Sequence, residues 1–251
     1  MSLLAALAPL LLLVATAPVP ASQDCLERLA ASERLSQRVL FVGNSFTSGN
    51  DLPCLVAELA RSLDPPLRLE VGMVARDGMT LEAHWLGGEV ARRLREEQWD
   101  VLVLQEQGSR PITDPAQMET DVRRFAAASR QAGAELVLFQ TWARANDPET
   151  ENPRAAIYRR IAAAVGAKVA PVGAAWSLAR AEHPGVRLHA EDGVHASREG
   201  SYLAASVLLG VLSGRSPVGA TATTIGDPDS AEMLQTLAWR TITRLPPRQT
   251  H

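Results

Sequence analysis

Cysteine is scarce in this chain, with only Cys25 and Cys54 among 251 residues. Two thiols are too few for a structural zinc site, and no His/Cys cluster with metal-ligand spacing accompanies them. No metal and no organic cofactor is therefore expected. Runs of Lys or Arg are also missing. With a formal net charge of -3, the chain has no general attraction for phosphate backbones or anionic lipid, so nucleic acid is not an expected partner. There is no Gly-Lys-Ser/Thr phosphate loop and no Gly-x-Gly-x-x-Gly turn, which argues against a nucleotide-binding domain. Internal repeats and low-complexity linkers are absent too. What remains is an ordinary globular composition, 46% hydrophobic and 21% charged, in a chain long enough for one substantial core.

The first residues are apolar from Leu3 to Val14 and end in Val19-Pro20-Ala21. Small residues at these positions suit signal-peptidase cleavage. The reading is a signal peptide over 1–21 and a single domain over 22–251, exported to the periplasm or secreted. The apolar run falls short of the ~20 residues that span a bilayer, and Pro9, Pro18 and Pro20 would interrupt a longer helix, so no stable membrane insertion is expected after cleavage. In an oxidising compartment Cys25 and Cys54 are expected to close a loop of about 30 residues.

Short β-branched runs bounded by turn residues predict strands at 38–43, 67–74, 100–104, 135–140 and 168–172. Each is nearly all apolar, as strands covered on both faces are. Helical periodicity predicts helices at 52–63, 81–97, 115–132, 153–165, 174–181, 198–212 and 230–243. The stretch 147–152 reads as an exposed loop. Strict alternation of strand and helix calls for a parallel sheet with helices on both faces, a three-layer α/β/α sandwich of about five strands. In such sheets ligands sit beyond the carboxyl ends of the strands, so chemistry is expected just after them.

Four segments occupy such places or precede a late helix. After the first strand comes Gly43-Asn44-Ser45-Phe46-Thr47, a turn that holds a serine hydroxyl in the open. After the second, Ala75-Arg76-Asp77-Gly78-Met79 offers the Gly78 backbone N–H. After the third, Gln105-Glu106-Gln107-Gly108 offers two side-chain amides. Near the C-terminus, Asp192-Gly193-Val194-His195 precedes a helix, with a carboxylate three residues before an imidazole. An Asp so placed can fix the tautomer of the His while the other ring nitrogen faces the serine. The other histidines, His84, His183, His189 and His251, read as solvated side chains. Trp142, after the fourth strand, reads as a pocket wall able to stack on a sugar ring.

Together these blocks resemble the SGNH (GDSL-like) hydrolases over roughly residues 39–209. Gly43-Asn44-Ser45-Phe46 resembles the family's Gly-Asp-Ser-Leu signature, and Asp192-Gly193-Val194-His195 its Asp-x-x-His block. The resemblance implies a flavodoxin-like strand order and a serine esterase working through an acyl-enzyme. It implies Ser45 as nucleophile, His195 as base, Asp192 as its orienter, and an oxyanion hole from Ser45, Gly78 and Gln107. Asn44 and Trp142 are expected at the substrate. Two blocks depart from the pattern: Asn44 stands where the family has Asp, and the Gly-x-Asn-Asp block is replaced by Gln105-Glu106-Gln107-Gly108. Register gives Gln107 the donor position, with Gln105 as the fallback. The expected substrate is a small-molecule or carbohydrate ester, O-acetylated glycan first. The alternative is a catalytically weak module of the same fold that binds envelope glycans. Oligomeric state is not legible.

Overall fold

The computed structural model describes residues 37–222 and 224–244. The expected signal peptide and Cys25 lie outside these residues. Cys54 lies within them and is buried.

Five strands form the sheet: β1 Gln37–Gly43, β2 Leu69–Ala75, β3 Val101–Leu104, β4 Glu135–Phe139 and β5 Lys168–Ala170. All neighbours pair in parallel, in the order β2-β1-β3-β4-β5. This is the expected flavodoxin-like arrangement, and the order reverses between β1 and β3. Side chains alternate across the pleat, and here each alternation finds its own core. Val39, Phe41, Val101, Val103, Val137 and Phe139 pack on one face, against helices from both ends of the chain. Leu40, Val42, Leu102, Leu104, Leu136 and Leu138 pack on the other. That is why the strands read as continuous apolar runs.

The helices, in chain order, are the short α1 Ser45–Ser48, α2 Leu52–Arg61, α3 Leu81–Gly87, α4 Glu89–Glu96, α5 Arg110–Thr113, α6 Pro115–Gln131, α7 Glu151–Val165, α8 Val172–Glu182, α9 Arg198–Ser213 and α10 Pro228–Arg244. Helices α2, α8, α9 and α10 cover the first sheet face, and α3, α4, α6 and α7 the second. Among the described residues, no helix is long and apolar enough to cross a membrane.

Two expectations are corrected. The helix expected over 81–97 is two, because Gly88 turns left-handed at φ 71° and caps the first, a conformation that costs glycine nothing. The loop expected over 147–152 gives way to helix at Glu151, which is buried. Its carboxylate accepts from Gln140 Nε2 at 2.7 Å and Ala143 N at 2.8 Å, securing the loop after β4.

Candidate active site

The chain leaves β1 at Gly43 and turns at once into α1. Asn44, in extended conformation, caps that helix: its Oδ1 accepts from Phe46 N at 3.1 Å. Its Nδ2 donates to Met79 O at 3.0 Å, reaching the loop after β2. Its backbone N–H donates to Gln105 Oε1 at 2.8 Å, and Thr47 Oγ1 donates to the same oxygen at 2.9 Å. Both ends of the Asn44 amide thus hold the turn, and its contribution to the pocket is a wall. The turn presents Ser45, whose backbone N–H has no acceptor among the described residues.

His195 comes from the loop before α9. Ser45 Oγ lies 2.9 Å from His195 Nε2, and His195 Nδ1 lies 2.5 Å from Asp192 Oδ2. The second oxygen of Asp192 accepts from the backbone of Val194 and of His195, both at 2.9 Å. The hydrogen bond from His195, then those from the backbone, hold the Asp192 carboxyl well below the usual carboxylate range. An ionised Asp192 therefore favours the tautomer with the proton on Nδ1, leaving Nε2 to accept from Ser45. Gly193, at φ 68°, lets the loop fold back between the two residues.

Links from three residues on two segments hold this loop. Asn50, left-handed at φ 53°, donates from Nδ2 to Ala196 O and Ser197 O at 3.2 Å and to Ser201 Oγ at 2.8 Å. Trp142 Nε1 donates to Val194 O at 2.9 Å, and Ala145 N to Gly193 O at 2.9 Å. Trp142 is buried, stacked on Trp176 at 4.1 Å and on Phe46 at 4.9 Å. Both faces of its ring are therefore occupied. It lines the pocket by its edge, not as a platform for a sugar.

Gln105 and Gln107 separate cleanly. Gln105 is buried behind the turn, its oxygen taken by Asn44 and Thr47 and its Nε2 donating to Glu106 O at 2.6 Å. Gln107 lines the pocket. Its Oε1 accepts from Ser109 N at 2.9 Å and Arg110 N at 3.2 Å. Backbone N–H groups can be met only by the oxygen, so the amide orientation is fixed and Nε2 is left to donate. Gly78 also lines the pocket, at φ 69°, with its N–H unclaimed among the described residues. Ser45, Gly78, Gln107, Trp142 and His195 thus border one cavity of about 320 Å³ at the β1/β3 switch point, and the charged Asp77 and Arg144 stand at it too.

The expectation of solvated histidines holds for exposed His183 but fails for two others, and His251 lies outside the described residues. His84 is buried and its Nε2 donates to Gly43 O at 2.7 Å. Burial lowers its pKa, so a neutral ring pins the end of β1. His189 donates to Ala143 O at 2.9 Å and meets Trp176 edge-on. Residue-by-residue reading also passed over Glu106, whose carboxyl is buried immediately behind Gln107. The available signal was an acid set between two amides directly after an all-apolar strand.

Comparison with known proteins bears on the fold and the family. No family profile and no curated protein matches the sequence. Among solved structures, a Slackia heliotrinireducens protein given the SGNH hydrolase name is 32% identical, with a TM-score of 0.61 over 70% of this chain and 99% of its own. A DUF4886 family protein from Bacteroides uniformis has a TM-score of 0.72 at 21% identity, over 83% of this chain and 95% of its own. An acetyl-xylooligosaccharide esterase from Geobacillus shares the fold at 16% identity, with a TM-score of 0.55 over 70% of this chain and 93% of its own.

Proposed function

The chain belongs to the SGNH hydrolase family, and from that membership we propose that it is a serine esterase with Ser45 as nucleophile. The observation that carries the reading is the continuous hydrogen-bonded line from Ser45 Oγ through His195 to Asp192, ending in a cavity where two backbone N–H groups and one side-chain amide stand unclaimed. As Ser45 Oγ attacks the ester carbonyl, its proton passes to His195 Nε2, and Asp192 steadies the imidazolium. The oxyanion is held by the N–H groups of Ser45 and Gly78 and by Gln107 Nε2. Removing one such donor typically costs about 3 kcal/mol of transition-state stabilisation. His195 returns the proton to the departing alcohol, leaving an acyl-Ser45. A water then attacks that acyl group, giving its proton to His195, and the collapse of the second intermediate frees the acid and returns the proton to Ser45.

The substrate is an acyl ester, with an O-acetyl group on carbohydrate the first choice. A cavity of this size, narrowed by Phe46 and the edge of Trp142, favours a short acyl chain. The apolar segment ending at Ala21 favours export, where such glycans occur and where Cys25 and Cys54 would pair.

The test is labelling with a fluorophosphonate, with the adduct located by mass spectrometry. An adduct on Ser45 that is lost in Ser45→Ala and slowed at least 100-fold in His195→Ala is the expected result. A folded wild-type protein that neither labels nor hydrolyses p-nitrophenyl acetate refutes the reading and leaves a glycan-binding module of the same fold.

A further inference from the structure

Two of the proposed oxyanion donors sit on separate loops. Gly78 lies between β2 and α3, and Gln107 between β3 and α5. No covalent constraint or secondary-structure pairing sets the distance between them, yet an oxyanion is held well only when its donors converge within a few tenths of an ångström. One side chain spans that gap. Glu106 Oε1 accepts from Gln107 N at 2.7 Å and from Leu81 N at 3.1 Å. Gln107 N belongs to the residue that presents the amide. Leu81 N is the first N–H of α3, three residues beyond Gly78.

Glu106 is 1% exposed, and its Oε2 has no hydrogen-bond partner among the described residues. A structural acid with no task would be replaced at little cost by an apolar residue, because burying a carboxyl is expensive. Burial raises its pKa to about 7, against the lowering effect of the two backbone N–H groups; Arg110 lowers it further and Asp121 raises it, while Tyr158 on α7 senses the same charge. Arg110 is itself paired with Glu82 at 2.7 Å. The acid is thus maintained at a desolvated position where its one evident work is to accept from both loops.

We infer that Glu106 is a positioning residue whose carboxyl oxygen ties the Gly78 loop to the Gln107 loop and so sets the spacing of the oxyanion hole. The inference rests on the esterase reading above. Its mechanical meaning is simple: Asn44 already joins the Ser45 turn to Met79 O, Gln105 joins that turn to the loop after β3, and Glu106 closes the remaining side, so that the three donor-bearing segments form a tied triangle.

The experiment compares Glu106→Ala, Glu106→Gln, Gln107→Ala and the Glu106→Ala/Gln107→Ala double variant in p-nitrophenyl acetate hydrolysis, with thermal melting of each. Gln retains an oxygen acceptor, so Glu106→Gln is expected to lose less than about five-fold in kcat, whereas Glu106→Ala loses roughly 10- to 100-fold with KM within about two-fold. The double variant is expected to lose less than the product of the single losses, because both act on one device. A kcat for Glu106→Ala within two-fold of wild type, or losses that multiply, overturns the inference while leaving the esterase reading intact. A wild-type protein that neither hydrolyses nor labels overturns both. Should Glu106→Ala not fold, amide hydrogen exchange of the wild type with a small boronic acid bound to Ser45 decides. Slowed exchange at both Leu81 and Gln107 supports the tie, and unchanged exchange refutes it.

Discussion

Gly43→Ala tests how the serine is held. A Cβ at Gly43 would lie 2.3 Å from Gln105 Oε1, 2.3 Å from Thr47 Oγ1 and 3.0 Å from Gln105 Cβ. The two oxygens bond each other, and Gln105 Oε1 also receives Asn44 N. Gln105 cannot simply swing its tip aside, since its own Cβ is also crowded, and Thr47 has a short side chain fixed on α1. Relief requires about 1 Å of displacement, which breaks both bonds to Gln105 Oε1 and leaves buried donors unsatisfied at about 1–3 kcal/mol each. The expected loss is about 2–5 kcal/mol, a large part of the stability of a domain of this kind. Gly49→Ala is the matched control, six residues on, with nothing within 4 Å of its added Cβ and no positive φ. Urea unfolding followed by circular dichroism gives both values, and the fluorophosphonate labelling rate reports on Ser45 in whatever fraction stays folded. If Gly43→Ala unfolds within about 0.5 kcal/mol of Gly49→Ala, the close-packed turn described here does not exist.

Further outcomes follow from other parts of the site. Asn50→Gly keeps the left-handed backbone but removes the clamp on the His195 loop, so kcat should fall roughly ten-fold with stability changed by less than about 1 kcal/mol; steady-state kinetics beside a urea melt checks it. Trp142→Phe keeps an aromatic ring in the stack but leaves Val194 O without its donor, at a cost of about 1–3 kcal/mol in denaturant. The pH dependence of stability isolates Glu106. Its folded pKa of about 7 lies above the ordinary 4.5, so between those values the folded state holds a proton that the unfolded state has lost. The Glu106 contribution to stability therefore falls as pH rises through this window, by about 3 kcal/mol. Glu106→Gln should remove that part of the slope, and an unchanged difference between pH 5 and pH 8 would count against the buried acid.

The sheet was legible because strands covered on both faces leave long apolar runs between turn residues, as in Val39 to Val42 and Val101 to Leu104. The Ser45 and His195 segments were legible because the chemistry needs few residue types at fixed places. What escaped depends on which side chains the tertiary fold turns inward. His84 is a lone histidine without an Asp three residues before it, so it reads as solvated, yet tertiary packing turned its ring onto Gly43 O. Glu106 was passed over because the amides on either side of it drew the oxyanion reading, and only the folded loop after β3 shows it buried. The break at Gly88 was visible as a Gly-Gly pair, but periodicity on both sides outweighed it.

The line from Ser45 to Asp192 joins two regions built to very different standards. From Val39 to Asn44 every residue is buried, whereas from His189 to Ser197 none is. Ser45 adjoins the most deeply buried strand of the sheet, and His195 rides on a segment kept in place by a few polar links at the surface. Openings that free such a segment need far less energy than global unfolding. On warming, the proposed relay should therefore come apart before the protein melts: His195 leaves Ser45 while the sheet beneath stays whole, and cooling brings the two back together.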